Sequence, residues 1–190
     1  MPLLLASTSR YRRELLARLG MPFETMAPDV DETRQAGETA TELVQRLSEA
    51  KARAGGDTAN ALVIGSDQVA VLGEDILGKP GAHEPACRQL ERLSGQVVTF
   101  MTGLCLYNSV SGDIQLDMVP FRVHFHDLKE EQIDRYLRRE QPYDCAGSFR
   151  SEGLGITLFH RMEGDDPTAL IGLPLIRLSG MLHAAGVTVP

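Results

Sequence analysis

At 190 residues the chain can form one large domain or two small lobes, and its 43% hydrophobic and 24% charged residues exclude disorder and fibrous architectures. A net charge of −7, with aromatics at 5% of residues and no Trp, disfavours a nucleic-acid polymer as partner: phosphate backbones need clustered cations, and single strands need stacking platforms. No apolar run approaches the ~18–20 residues that span a bilayer. No basic stretch precedes the apolar N-terminus as in a secretory signal, and three widely spaced cysteines make neither a zinc nor a disulfide pattern. The expectation is a cytoplasmic protein with no membrane association.

Leu3–Ala6 reads as a short buried strand. Arg10–Leu19 carries Leu15, Leu16 and Leu19 at helical spacing and ends at Gly20. Phe23–Ala27 is a second strand, and the polar, acidic segment Pro28–Gly37 a loop. Glu38–Ala54 sets Leu43, Val44, Leu47 and Ala50 on one face of a helix that Gly55-Gly56 should stop. Ala61–Leu72 is a central strand interrupted by Gly-Ser-Asp-Gln, and Glu84–Leu93 is a helix. Val97–Asn108 and Ile114–His126 are long strands joined by a turn around Ser111-Gly112-Asp113. Lys129–Arg139 is a charged surface helix, and Gly172–Ala185, with Pro174 near its start, closes the chain. The fold class is α/β: a mixed β-sheet flanked by helices, with two lobes around a central cleft. No linker or repeat interrupts it, so residues 1–190 are taken as one domain.

Two segments draw chemical attention. In Ser7-Thr8-Ser9-Arg10-Tyr11-Arg12-Arg13, Ser9 sits where a helix N-cap belongs, and three arginines crowd the positive end of the helix dipole. That placement costs ~0.3–1 kcal/mol per charge; it fits an anion site of amides, hydroxyls and guanidiniums, and a solvated Arg-rich turn is the plain alternative. In Gly65-Ser66-Asp67-Gln68, a carboxylate interrupts a buried strand, which suits a metal ligand, a base, or a cap on a neighbouring backbone. Asp29, Asp31 and Glu32 add oxygen donors suited to a hard cation.

Other motifs fail on inspection. Gly73–Lys79 matches GxxxxGK, but Pro80 stands where a P-loop needs Ser or Thr. Gly153-Leu154-Gly155 lacks the third glycine of a dinucleotide fingerprint, His83-Glu84 has no second histidine, and no GxSxG is present. His124 and His126 read as a surface pair on one strand face.

Taken in order, LLLASTSRYRREL, VDE, KA, GSDQV, LGKP, SGQVVTFMTGL, YDCAGSFRSEG and GDDPTALIGLPL resemble the Maf family of nucleotide pyrophosphatases across nearly the whole chain. The resemblance implies a fold related to inosine-triphosphate pyrophosphatases and hydrolysis of a nucleoside triphosphate to monophosphate and pyrophosphate with a divalent cation, Mg²⁺ or Mn²⁺. It assigns Ser7, Ser9, Arg12, Arg13 and Lys51 to the phosphates. Asp67 becomes the proton acceptor, with Glu32 and Lys79 as catalytic companions and Glu32 and Asp67 as metal ligands. Arg10 departs from the family, where a proline is common. Tyr11, Gln68 and Glu152 occupy substrate-selecting positions, and an aromatic, Gln and Glu there are similar to members acting on 7-methyl-GTP. An aromatic face attracts the positive charge that N7 methylation gives guanine, and a carboxylate can accept from its N1 and N2 donors. A dTTP or UTP pyrophosphatase, or a nucleotide-sensing regulator of cell division, are the alternatives. The expected partner is a small nucleotide, and the sequence leaves room for a homodimer.

Overall fold

The apolar run Leu3–Ala6 forms strand β1 in a computed structural model that describes residues 1–56 and 60–189. It is followed by α1 (Arg10–Ala17), β2 (Phe23–Met26), α2 (Ala40–Gly56), β3 (Leu62–Leu72), β4 (Asp75–Leu77) and α3 (His83–Leu93). Then come β5 (Val97–Asn108), β6 (Ile114–Phe125), α4 (Glu130–Glu140), β7 (Phe159–Glu163) and α5 (Leu175–Ala184). The strands run in the order β2-β1-β3-β5-β6-β7, with β4 paired to β3, which bears out the expected mixed α/β sheet. No helix among the described residues is long and apolar enough to cross a membrane.

The chain divides into two compact units. The first comprises Met1–Gln68, Met101–Val119 and Asp166–Pro190; the second comprises Val69–Phe100 and Pro120–Asp165.

In the first unit, β1 pairs in parallel with both β2 and β3. A parallel strand covered on both faces needs apolar residues throughout, and β1 is buried at every position. Side chains alternate between the faces. Leu3 and Leu5 of β1, Leu62 and Ile64 of β3, and Leu104 and Leu106 of β5 pack with Leu15 and Leu16 of α1 and Leu178, Met181 and Leu182 of α5. Leu4, Ala6, Val63 and Cys105 face the other way, against Ala52 of α2. At ~1.5–3 kcal/mol per fully buried aliphatic side chain, these two layers dominate the stability of the unit.

Helix α2 approaches the sheet closely because two strand positions lack side chains. A Cβ at Gly65 of β3 would stand 2.1 Å from the Ser48 carbonyl oxygen, and one at Gly103 of β5 would stand 2.2 Å from the Val44 carbonyl oxygen.

Two expectations need correction. Helix α2 does not stop at Gly55-Gly56 but runs through both: a Cβ at Gly55 would meet Val63 at 2.7 Å and one at Gly56 would meet Tyr107 at 2.3 Å, so these glycines serve packing. The last helix begins at Leu175, not Gly172, because Gly172 has φ +120° and the Asp166 carboxylate accepts from the Ile176 and Arg177 amides of the first turn. Strands β4 and β7 were not foreseen, being too short for a period to show.

In the second unit, α3 packs against α4 and the turn at Ala146–Ser148, and the ring of Phe149 meets Phe100, Phe125 and Phe159 edge-on at centroid distances of 5.3–5.6 Å. Strands β6 and β7 pair antiparallel with an irregularity at His124/Phe125. His126 is exposed and His124 half-buried, and His160 joins them at 5.3 and 6.1 Å between ring centroids.

Candidate active site

The first unit gathers most of the residues singled out in the sequence. Ser9 caps α1 as expected, extended at φ −68° and ψ 118°, its hydroxyl accepting from the Arg12 amide at 3.4 Å. The buried Ser7 hydroxyl accepts from the Ser9 amide at 3.1 Å, fixing the turn before the helix. Neither Glu nor Asp stands in the first turn of α1, so its positive end is met by no acidic residue of its own and is suited to an external anion. Arg13 is exposed and Arg12 half-buried.

The Arg12 side chain turns inward, its Nε–H donating to the Gly172 carbonyl at 2.9 Å. Burial pushes its guanidinium below the ordinary arginine value, while the charges of Asp67 and Glu32 pull it back up. Beside it, Tyr11 is half-buried. The Arg10 guanidinium sits 4.7 Å from the Tyr11 ring centroid and donates to the Tyr11 hydroxyl at 2.9 Å.

The close approach of α2 to β3 builds the centre of the site. Lys51, one face of α2 with Val44, Leu47, Ser48 and Ala52, is buried at 5% exposure. Its Nζ lies 2.6 Å from Asp67 Oδ1 and 2.6 Å from Glu32 Oε1. Asp67 is 9% exposed and its backbone amide donates to the Ser48 hydroxyl at 3.0 Å, which itself donates to the Val44 carbonyl at 2.6 Å. The helix thus grips both the side chain and the backbone of the strand residue. Asp31 is engaged elsewhere: its carboxylate accepts from the Thr33 amide at 2.9 Å. Among the described residues, no three His, Cys, Asp or Glu side chains converge to hold a metal ion.

The loop that brings Glu32 to Lys51 hangs from Glu38, which sequence reasoning missed. The Glu38 carboxylate takes Arg46 Nε at 2.5 Å and Nη2 at 3.0 Å and also accepts from the Gln35 amide at 3.0 Å. Arg34 Nε and Nη2 close the loop onto the Glu38 carbonyl at 2.9 and 2.6 Å. The hydrogen bonds from Arg46 hold the Glu38 carboxyl down at about 2, against an ordinary 4.5. A carboxyl lowered in the folded state contributes stability above its unfolded value, and that contribution disappears as pH falls through the folded value. Urea midpoints of wild type and Glu38→Gln should therefore differ at pH 7 and converge between pH 4.5 and about 2; a gap constant with pH would show that the ion pair contributes nothing.

Gln68 points away from Lys51. Its Nε2 donates to the Ala169 carbonyl at 2.7 Å, the Leu170 carbonyl at 3.2 Å and the Thr102 hydroxyl at 3.0 Å. Lys79 and Glu152 belong to the second unit and are exposed. The loop carrying Lys79 is tied by Gln89 Nε2 donating to the Gly78 carbonyl at 3.1 Å and by the Gly81 amide donating to the Tyr143 carbonyl at 2.9 Å. Glu152 accepts from the Ser151 hydroxyl at 3.3 Å, next to the Arg150–Glu140 ion pair.

A family model described as Maf-like protein matches residues 2–185. A Nitrosococcus oceani protein named 7-methyl-GTP pyrophosphatase is 61% identical over 98% of this chain and 94% of its own length. A Pseudomonas fluorescens protein of the same name is 60% identical over the whole of both chains, and one from Pseudomonas aeruginosa is 58% identical over 99% of this chain and 98% of its own. Among solved structures, the Staphylococcus aureus Ham1 protein superposes with a TM-score of 0.58 at 14% identity, over 97% of this chain and 100% of that one. A HAM1 protein from Coxiella burnetii gives 0.54 at 14%, over 97% and 99%. At that identity these two speak for the fold.

Proposed function

The chain belongs to the Maf family, and on that premise we propose that it hydrolyses 7-methyl-GTP to 7-methyl-GMP and diphosphate in the cytoplasm. The observation that carries the substrate is the name shared by relatives near 60% identical over 94% or more of both chains. The geometry of the first unit is what such a reaction needs.

A triphosphate brings charge that must be met by preorganised donors. The capped N-terminus of α1 supplies the positive end of its dipole and the Ser7 and Ser9 hydroxyls, and Arg12 and Arg13 supply guanidiniums. Lys51 orients two carboxylates at once through one ammonium. With Asp67 Oδ1 taken by Lys51, Oδ2 is the atom left to accept a proton from the attacking water. On the family resemblance, Lys79 is assigned to phosphate charge and Glu152 to the base edge.

Glu32 and Asp67 offer hard oxygen donors, and Mg²⁺ or Mn²⁺ typically takes one or two carboxylates and completes its shell with phosphates and water. The donor set fits such an ion, which when bound would neutralise phosphate charge and polarise the bond to be broken.

Tyr11 is assigned to the base. Its ring already holds a guanidinium at 4.7 Å, and the cationic ring of 7-methylguanine makes the same kind of demand, worth ~0.5–2 kcal/mol. In steady-state assays over 7-methyl-GTP, GTP, dTTP and UTP, 7-methyl-GTP should give the highest kcat/KM. Tyr11→Ala should cut that value by about 1–2 kcal/mol, roughly fivefold to thirtyfold, and affect GTP less. Glu152→Gln should act in the same direction. Equal losses on 7-methyl-GTP and GTP would remove both residues from base recognition, and a preference for dTTP or UTP would overturn the substrate.

A further inference from the structure

Gln68 stands on the same face of β3 as Ser66, and both reach the loop 166–172. The Ser66 hydroxyl shares its one hydrogen between the Gly103 carbonyl at 2.8 Å and the Gly172 carbonyl at 3.0 Å, the latter being the same oxygen that takes Arg12 Nε at 2.9 Å. Gln68 Nε2 grips the Ala169 carbonyl, which also accepts from the Thr102 hydroxyl at 2.8 Å and from the Gly172 amide at 3.0 Å. A continuous path of hydrogen bonds therefore runs from Gln68 through Ala169 and Gly172 to the Arg12 guanidinium. The Gln68 carboxamide can sit only one way round, because flipping it would set its oxygen against two carbonyl oxygens that cannot donate. Both of its amide hydrogens are committed to this loop and to Thr102. Within the loop, the Asp166 carboxylate, 2% exposed, takes the Thr168 hydroxyl at 2.6 Å and caps α5. Gly172 takes φ +120°, a conformation that side chains rarely adopt.

We propose that Gln68, with Thr102, is a positioning residue: it clamps the 166–172 loop so that the Gly172 carbonyl holds Arg12 Nε and leaves the terminal nitrogens of the guanidinium to the phosphates. This rests on the reading of Arg12 as a phosphate ligand, and it gives Gln68 a task that concerns the phosphates of every substrate.

Inorganic pyrophosphate has no base and so separates the two tasks. Gln68→Met keeps the length of the side chain and removes both donors; Thr102→Val removes a buried hydroxyl at near-constant shape, and Thr102→Ser restores it. By calorimetry in magnesium buffer, Gln68→Met should weaken pyrophosphate binding about fivefold to tenfold, the scale of one or two lost hydrogen bonds. It should raise KM for 7-methyl-GTP and GTP by the same factor and change kcat less than twofold. Thr102→Val should shift the same quantities in the same direction, and Thr102→Ser should return them to wild type. Unchanged pyrophosphate affinity in folded Gln68→Met, or in Thr102→Val should Gln68→Met not fold, overturns the proposal, as does a wild type that does not bind pyrophosphate. Weakened pyrophosphate binding in a protein inert toward 7-methyl-GTP would sustain the clamp and refute the substrate, so the two failures are distinguishable.

Discussion

Asp67→Asn should lower kcat by about 10²–10⁴-fold, the range a positioned general base contributes, while leaving the fold intact. The substitution is nearly isosteric at a 9% exposed position. The asparagine carbonyl oxygen can still accept from Lys51 Nζ, and the backbone amide keeps its bond to Ser48. What it loses is the second carboxylate oxygen as a proton acceptor. Steady-state kinetics alongside a thermal melt separate the effects: near-normal turnover in a normally folded variant would make Asp67 a structural residue and move the search for the base to Glu32.

Lys51→Met should have the largest effect on stability, about 3–5 kcal/mol, because it removes the ammonium hydrogen-bonded to the buried Asp67 carboxylate. The loss should be read from urea unfolding at pH 7. Combining Lys51→Met with Asp67→Asn should recover part of it, since the uncompensated charge is then gone; strict additivity of the two changes would show that the pair is not coupled. Turnover should fall as well, because one ammonium orients both Asp67 and Glu32.

Much of this was legible from local pattern. Ser9 announced itself as a cap because a serine precedes the helix, and Asp67 because a carboxylate broke a buried apolar strand. The joining of Lys51 to Asp67 was not legible: it depends on α2 settling against Gly65 and Gly103, and the lack of a side chain carries no signal about which helix will use the space. The Gly55-Gly56 pair misled for the same reason, since a glycine kept for packing and one that ends a helix look alike in sequence. The clamp on Arg12 joins residues 101, 106 and 160 positions apart, beyond the reach of periodicity. Glu38 read only as the start of a helix, and its partner Arg46 lies two turns along α2.

Strand β3 has one further consequence. Gly65 and Asp67 serve the α2 face while Ser66 and Gln68 serve the face of the 166–172 loop, so two groups of site residues are interleaved at a period of two along four consecutive positions. Removing or adding a single residue upstream in the strand would exchange the two sets wholesale, turning Ser66 and Gln68 toward Lys51 and Asp67 toward the loop carbonyls. Length between Leu62 and Gln68 is therefore guarded more strictly than the identity of any one residue there. A library of single-residue insertions and deletions should find this segment empty of survivors, while the turn at Ser111–Asp113 accepts them freely.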